Sequence, residues 1–219
     1  MSSALKIIGY RNEPLPNTFI HQAGRPSRCA IVFPGIGYTC QMPLLYYTRS
    51  LLIALGSDVL LVEYSYSRKP DFQALPGEER ERWFFADVNA AGEAALSFRP
   101  YSQVTLVGKS LGTLAITHLL SKPQFANSRA VWLTPLLRDE RVRTQIRNTT
   151  RDALLVLGTN DAHYDADFLR RLKALPQVKT VVLEGADHSL EFKGDSLRSI
   201  NFLQQVMREM QEFFGATSQ

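Results

Sequence analysis

Residues 104–112 read Val-Thr-Leu-Val-Gly-Lys-Ser-Leu-Gly, an apolar run that breaks at a glycine-flanked serine and resumes as a helical pattern. No other stretch restricts the fold so tightly. Val104, Leu106 and Val107 suit a strand buried on both faces, while Leu111, Leu114, Ala115, His118 and Leu119 recur at helical spacing. A strand that turns at once into a helix forces its apex residue into a strained conformation, and side chains at Gly108 or Gly112 would collide there. The pattern therefore exposes the Ser110 hydroxyl above a sheet edge and makes it the candidate nucleophile.

The 219 residues, 45% hydrophobic, suffice for one substantial core, and no linker-like change of composition divides them. A single domain over 1–219 is expected. The N-terminal ten residues lack the apolar stretch of a leader, and no run approaches the ~18 apolar residues of a membrane span. A cytoplasmic protein with no membrane partner is expected. Cys29 and Cys40 form neither a disulfide framework nor a metal-ligand pattern, so both are expected to be reduced and structural, and no metal site is expected. The net charge of +4 is modest. Its concentrated part runs from Arg138 to Arg151, where Arg143, Arg147 and Arg151 read as one solvated helix face; without interleaved aromatics it does not point to nucleic acid.

Strand-like runs occur at about 5–10, 18–22, 29–33, 58–63, 103–107, 130–134, 153–157 and 178–183. Helical patterns fill most of the gaps: Leu44 to Leu55, residues 78–97 with Trp83 and Val88, and Leu203 to Phe214. Trp83, Phe84 and Phe85 read as core. This alternation predicts a mainly parallel eight-stranded sheet with helices on both faces, its first two strands free to form a hairpin. Active sites in such sheets lie beyond the carboxyl ends of the strands.

A serine hydroxyl needs a base within hydrogen-bond reach, and the base needs a group to orient it. Of the four histidines, His21 reads as a surface residue, His118 as a core residue on the elbow helix, and His163 falls in an Asp-rich loop. His188 follows the last strand and becomes the candidate base. Asp161, after the preceding strand, is the first choice for the orienting acid; Asp165 is the second, with Asp165 and Asp167 suited to starting the next helix. For the oxyanion, the backbone amide of Leu111 is the expected first donor, and the loop Pro34-Gly35-Ile36-Gly37-Tyr38 supplies the other, Ile36 before Gly37.

Gly35-Ile36-Gly37, Gly108-Lys109-Ser110-Leu111-Gly112, Gly158-Thr159-Asn160-Asp161 and Asp187-His188, in that order, resemble the α/β-hydrolase superfamily, particularly its small dienelactone-hydrolase-like branch. The resemblance implies a three-layer α/β-hydrolase fold without a cap domain, since only about 20 residues separate Leu133 from Ala153. It also implies the triad Ser110, Asp161 and His188. Dienelactone hydrolases proper carry a cysteine where this chain has Ser110, so their substrate does not transfer. Pro34 stands where many lipases have a histidine, which argues against lipase activity.

Hydrolysis of a carboxylic ester or thioester of a small soluble substrate, through an acyl-enzyme and with no cofactor, is the leading expectation. A non-catalytic binding scaffold, and an acyltransferase or lyase using the same triad, are the alternatives. Gly37, Tyr38, Tyr64, Tyr66, Lys109 and Pro135 are candidates to line the pocket, Lys109 by favouring an anionic substrate.

Overall fold

The computed structural model describes residues 1–215. Its centre is an eight-stranded sheet of β1 (Ser2–Ser3), β2 (Asn17–Ile20), β3 (Arg28–Phe33), β4 (Asp58–Val62), β5 (Gln103–Lys109), β6 (Arg129–Leu133), β7 (Ala153–Gly158) and β8 (Val178–Leu183), in the order β1-β2-β4-β3-β5-β6-β7-β8. Pairing is antiparallel from β1 through β2 to β4 and parallel from there to β8.

Seven helices cover the sheet among the described residues: α1 (Pro43–Ala54), α2 (Pro70–Ala74), α3 (Gly77–Phe98), α4 (Leu111–Leu120), α5 (Glu140–Arg147), α6 (Ala166–Leu172) and α7 (Ser196–Gly215). Successive strand residues point to opposite faces, and the two cores follow that alternation. Ile31, Phe33, Leu106, Trp132 and Leu155 pack with α3 to α6, whereas Ala30, Val32, Val107, Val131 and Val156 pack with α1 and α7. Near-continuous apolar strands are what a sheet covered on both faces requires.

The expected strand at 5–10 is not formed. Its place at the edge is taken by Ser2–Ser3, and Ile8 makes only an isolated bridge to Pro14. Tertiary packing overrides the local β-preference: Ile7 is buried, Tyr10 stacks on Trp83 at 5.0 Å, and the Tyr10 N–H donates to Asp87 on α3. The basic stretch differs as well. Helix α5 ends at Arg147, so Arg151 lies beyond it against Asn127. Arg143 is anchored by Asp165 and Glu140, and Arg147 by Glu140, so the exposed face is also ion-paired.

Candidate active site

Strand β5 delivers Ser110 in a strained conformation, φ +52°, at the start of α4. The strain is held from three sides. A Cβ on Gly108 would meet the Gly112 carbonyl, one on Gly112 would meet the Phe33 carbonyl, and the Ser110 N–H donates to Leu133 at the end of β6 at 3.0 Å. Because the obstacles are backbone atoms, Gly112→Ala is expected to destabilise the fold by about 1–3 kcal/mol, read by urea unfolding. An unchanged midpoint would mean that the elbow has slack the geometry denies.

Ser110, Asp161 and His188 are brought together. His188 Nε2 lies 2.8 Å from Ser110 Oγ, and His188 Nδ1 lies 2.8 Å from Asp161 Oδ2. A carboxylate only accepts, so Nδ1 carries the proton and Nε2 is left to accept from the serine. Asp161 is buried, and its second oxygen accepts the His163 N–H at 2.8 Å. Burial pushes this carboxyl up, but the bonds from His188 and the His163 amide outweigh it and hold it below the usual carboxylate range.

The competing acids are spent elsewhere. Asp165 caps α6 through the Phe168 N–H and pairs with Arg143 at 2.6 Å. Asp187 turns back on its own loop, accepting from Ser189 and Glu191. That loop is tied down by the Asn160 N–H, which donates to the Ala186 carbonyl at 2.9 Å, and lies so close to β7 that a Cβ on Gly158 would strike the same carbonyl.

Of the other histidines, His163 comes nearest, its ring 5.5 Å from that of His188, with burial holding it below the usual imidazole value. It borders a polar cleft of about 680 Å³ that Arg138, Arg143 and Tyr164 also line. His118 is half-buried against Phe85 and Asn89, not in the core. His21 is half-buried beside Phe19 and Phe98.

The loop after β3 lies against the elbow: a Cβ on Gly35 would sit 3.3 Å from Ser110 Cβ and 3.3 Å from Tyr38 Cβ. Ile36 and Gly37 form its exposed tip. Leu111 is the first residue of α4, where backbone N–H groups have no partner within the helix.

The expected pocket residues need correction. Tyr64 is buried and donates its hydroxyl to the Pro34 carbonyl at 2.7 Å, bracing the loop from behind. Tyr66 is 1% exposed, stacked between Tyr64 and Phe72, and bonded to Asp87. Pro135 is buried. Lys109 does not face a substrate either: it is 1% exposed, and its Nζ donates to the His188 carbonyl at 2.9 Å and to Thr134 Oγ1 at 3.2 Å. Gly37 stays open, and Tyr38, largely buried, lines a small apolar cavity of about 110 Å³ with Leu44, Leu190 and Leu203.

A family model described as the alpha/beta hydrolase domain matches residues 28–215. The chain belongs to the α/β-hydrolase family. The family fold also appears in solved structures that cover nearly all of it. XC6422 from Xanthomonas campestris, described as an α/β serine hydrolase without lid, is 18% identical over 99% of this chain and 97% of its own, with a TM-score of 0.69. The esterase Pf2001 of Pyrococcus furiosus is 16% identical, covering 98% and 92%, at 0.72. Est1E from Butyrivibrio proteoclasticus, solved with ferulic acid bound, is 14% identical over 94% and 96%, at 0.68. At these identities the likeness shows the α/β-hydrolase fold, here too without a cap: the chain between β6 and β7 holds only α5. No curated protein matches the sequence.

Proposed function

We propose that this α/β hydrolase cleaves a carboxylic ester or thioester of a small substrate through an acyl-enzyme on Ser110. The observation that carries the reading is the unbroken chain Ser110 Oγ to His188 Nε2 to His188 Nδ1 to Asp161, with both contacts at 2.8 Å.

In the first half-reaction Ser110 Oγ attacks the acyl carbon, His188 Nε2 takes the hydroxyl proton, and Asp161 stabilises the imidazolium. The carbonyl oxygen becomes an oxyanion facing the amides of Leu111 and Ile36, with Gly37 the alternative second donor. Collapse expels the alcohol or thiol, which leaves with the proton from His188. Water then repeats the sequence, giving up a proton to His188 as it attacks the acyl-serine, and Ser110 recovers that proton when the acid departs. Every group the cycle needs is a side chain or amide of this chain, so the proposal includes no cofactor. The uncapped edge admits water, which favours hydrolysis over transfer to another acceptor. Free, buried Cys29 and Cys40 accord with the cytoplasmic setting expected from the sequence.

Purified protein is expected to release p-nitrophenol from acetyl and butyryl esters and to be labelled stoichiometrically by a fluorophosphonate. Folded protein that does neither would sink the reading and favour the binding scaffold.

A further inference from the structure

We propose that Lys109 is a positioning residue for this hydrolase: its buried ammonium ties the backbone of the general base to the nucleophile elbow and so fixes the distance between His188 and Ser110. The inference rests on the serine-hydrolase reading above and assigns a role to a residue that touches neither substrate nor reacting atoms.

The argument begins with burial. A lysine ammonium is seldom fully enclosed, because removing it from water is costly, yet Lys109 is 1% exposed. Strand alternation puts it on the face of Val107, where α1 and α7 pack, in a position that an apolar side chain would fill at lower expense. What the ammonium achieves there is specific. Nζ donates to the His188 carbonyl and to Thr134 Oγ1, and its remaining side rests 4.5 Å from the centre of the Tyr38 ring.

These contacts close a ring. Ser110 follows Lys109 in the chain; Ser110 Oγ meets His188 Nε2, and the carbonyl of His188 returns to Lys109 Nζ. A shift of the His188 loop away from the elbow must stretch the Lys109 bond at the same time. Thr134 supports the arrangement from just beyond the end of β6: it is fully buried, at φ +44°, with its N–H bonded to Val156 at 2.7 Å. Thr134 therefore offers its hydroxyl from a fixed point. Tyr38 joins the oxyanion loop to the same cluster, its hydroxyl accepting the Leu44 N–H.

The charges facing Lys109 are Asp161 after β7 and Asp187 and Glu191 in the loop after β8. Burial draws the ammonium down to about 8, and those three carboxylates limit the fall. Since the folded value lies below the ordinary one, the charged form works against folding at pH below about 8, and that penalty is relieved as pH rises toward the ordinary lysine value. A residue kept against stability in this way is expected to separate the two readouts when removed.

The test compares wild type with Lys109→Met, a near-isosteric apolar replacement, and Lys109→Arg. Lys109→Met is expected to lower kcat for p-nitrophenyl butyrate about 10- to 100-fold, as for a catalytic group displaced by about 1 Å. KM should stay within about threefold and Tm within about 4 °C. Lys109→Arg keeps a cation and should recover part of kcat. A readout free of turnover is the downfield proton resonance of His188 Nδ1–H, expected to be sharp in wild type and broadened in Lys109→Met. If Lys109→Met does not fold, Lys109→Gln takes its place with the same readouts. A variant that keeps kcat within twofold and an unchanged imidazole resonance overturns the proposal, and so does a loss of kcat that merely tracks unfolding in every variant. Failure of wild type to turn over or label would instead count against the hydrolase reading, with the resonance still testing the Lys109 tie.

Discussion

Ser110→Ala is expected to lower kcat for p-nitrophenyl esters by at least about 10⁴-fold and to abolish fluorophosphonate labelling, while Tm moves by no more than about 2 °C. On the proposed acyl-enzyme route, removing Oγ deletes the group that forms the acyl bond, and what survives is the modest acceleration that oxyanion donors and binding provide without a nucleophile. Stability is little affected because the side chain is half-buried and its hydroxyl hydrogen-bonds to His188. The strain at φ +52° remains, since alanine tolerates that conformation no better than serine. Ser110→Gly, equally inactive, should therefore be the more stable of the two by about 1 kcal/mol, relief of strain being set against the greater chain entropy of glycine. Retention of activity by the alanine variant would remove Ser110 from the mechanism.

Asp161→Asn is expected to lower kcat by about 10³- to 10⁴-fold with only a small change in KM. The buried carboxylate accepts from His188 Nδ1 and from the His163 N–H, and those bonds hold its titration below the usual carboxylate range despite its burial. The sign follows: a carboxyl lowered in the fold adds stability above its unfolded value and loses it as pH falls through the lowered one, so near neutrality Asp161 is an anion. An asparagine that keeps the His163 bond turns its NH₂ toward Nδ1. The imidazole must then present Nε2–H to Ser110, the tautomer that cannot take the hydroxyl proton. Single-turnover labelling and steady-state kinetics from acid to alkaline pH would check this, and a variant within tenfold of wild type would show that the acid is dispensable.

Much of this was legible in the chain because the elbow, the triad order and the strand ends obey local rules. Gly108 and Gly112 signal a backbone collision, Asp161 follows the buried strand β7, and His188 follows β8, the last strand, at the edge where loops converge. The segment at 5–10 reads as a strand because it is rich in apolar, β-preferring residues, but Ile7 and Tyr10 bury themselves without a strand partner, Tyr10 against α3. Tyr64 and Tyr66 read as pocket walls because sequence places a residue after a strand without giving the direction of its side chain. In the fold they turn inward to Pro34 and Asp87. Lys109 had a signal in the alternation of β5, which sets it on the side of Val107, though charge alone suggested an exposed position. Thr134 is placed by sequence just after β6, at the active edge, but its positive φ is not legible: for a β-branched residue that conformation is imposed by the packing around it.

The parallel register of β5 through β8 has a consequence for how the molecule comes into being. Ser110 and His188 are 78 positions apart, and His188 and Asp161 are 27 apart, so the three meet only after the separate crossovers joining β5 to β8 have closed. Non-local pairings of this kind are made slowly during folding, after the local helices. On the proposed hydrolase reading, a reactive Ser110 therefore requires β5 through β8 to be assembled together, which makes the appearance of serine labelling a clock for completion of that half of the sheet.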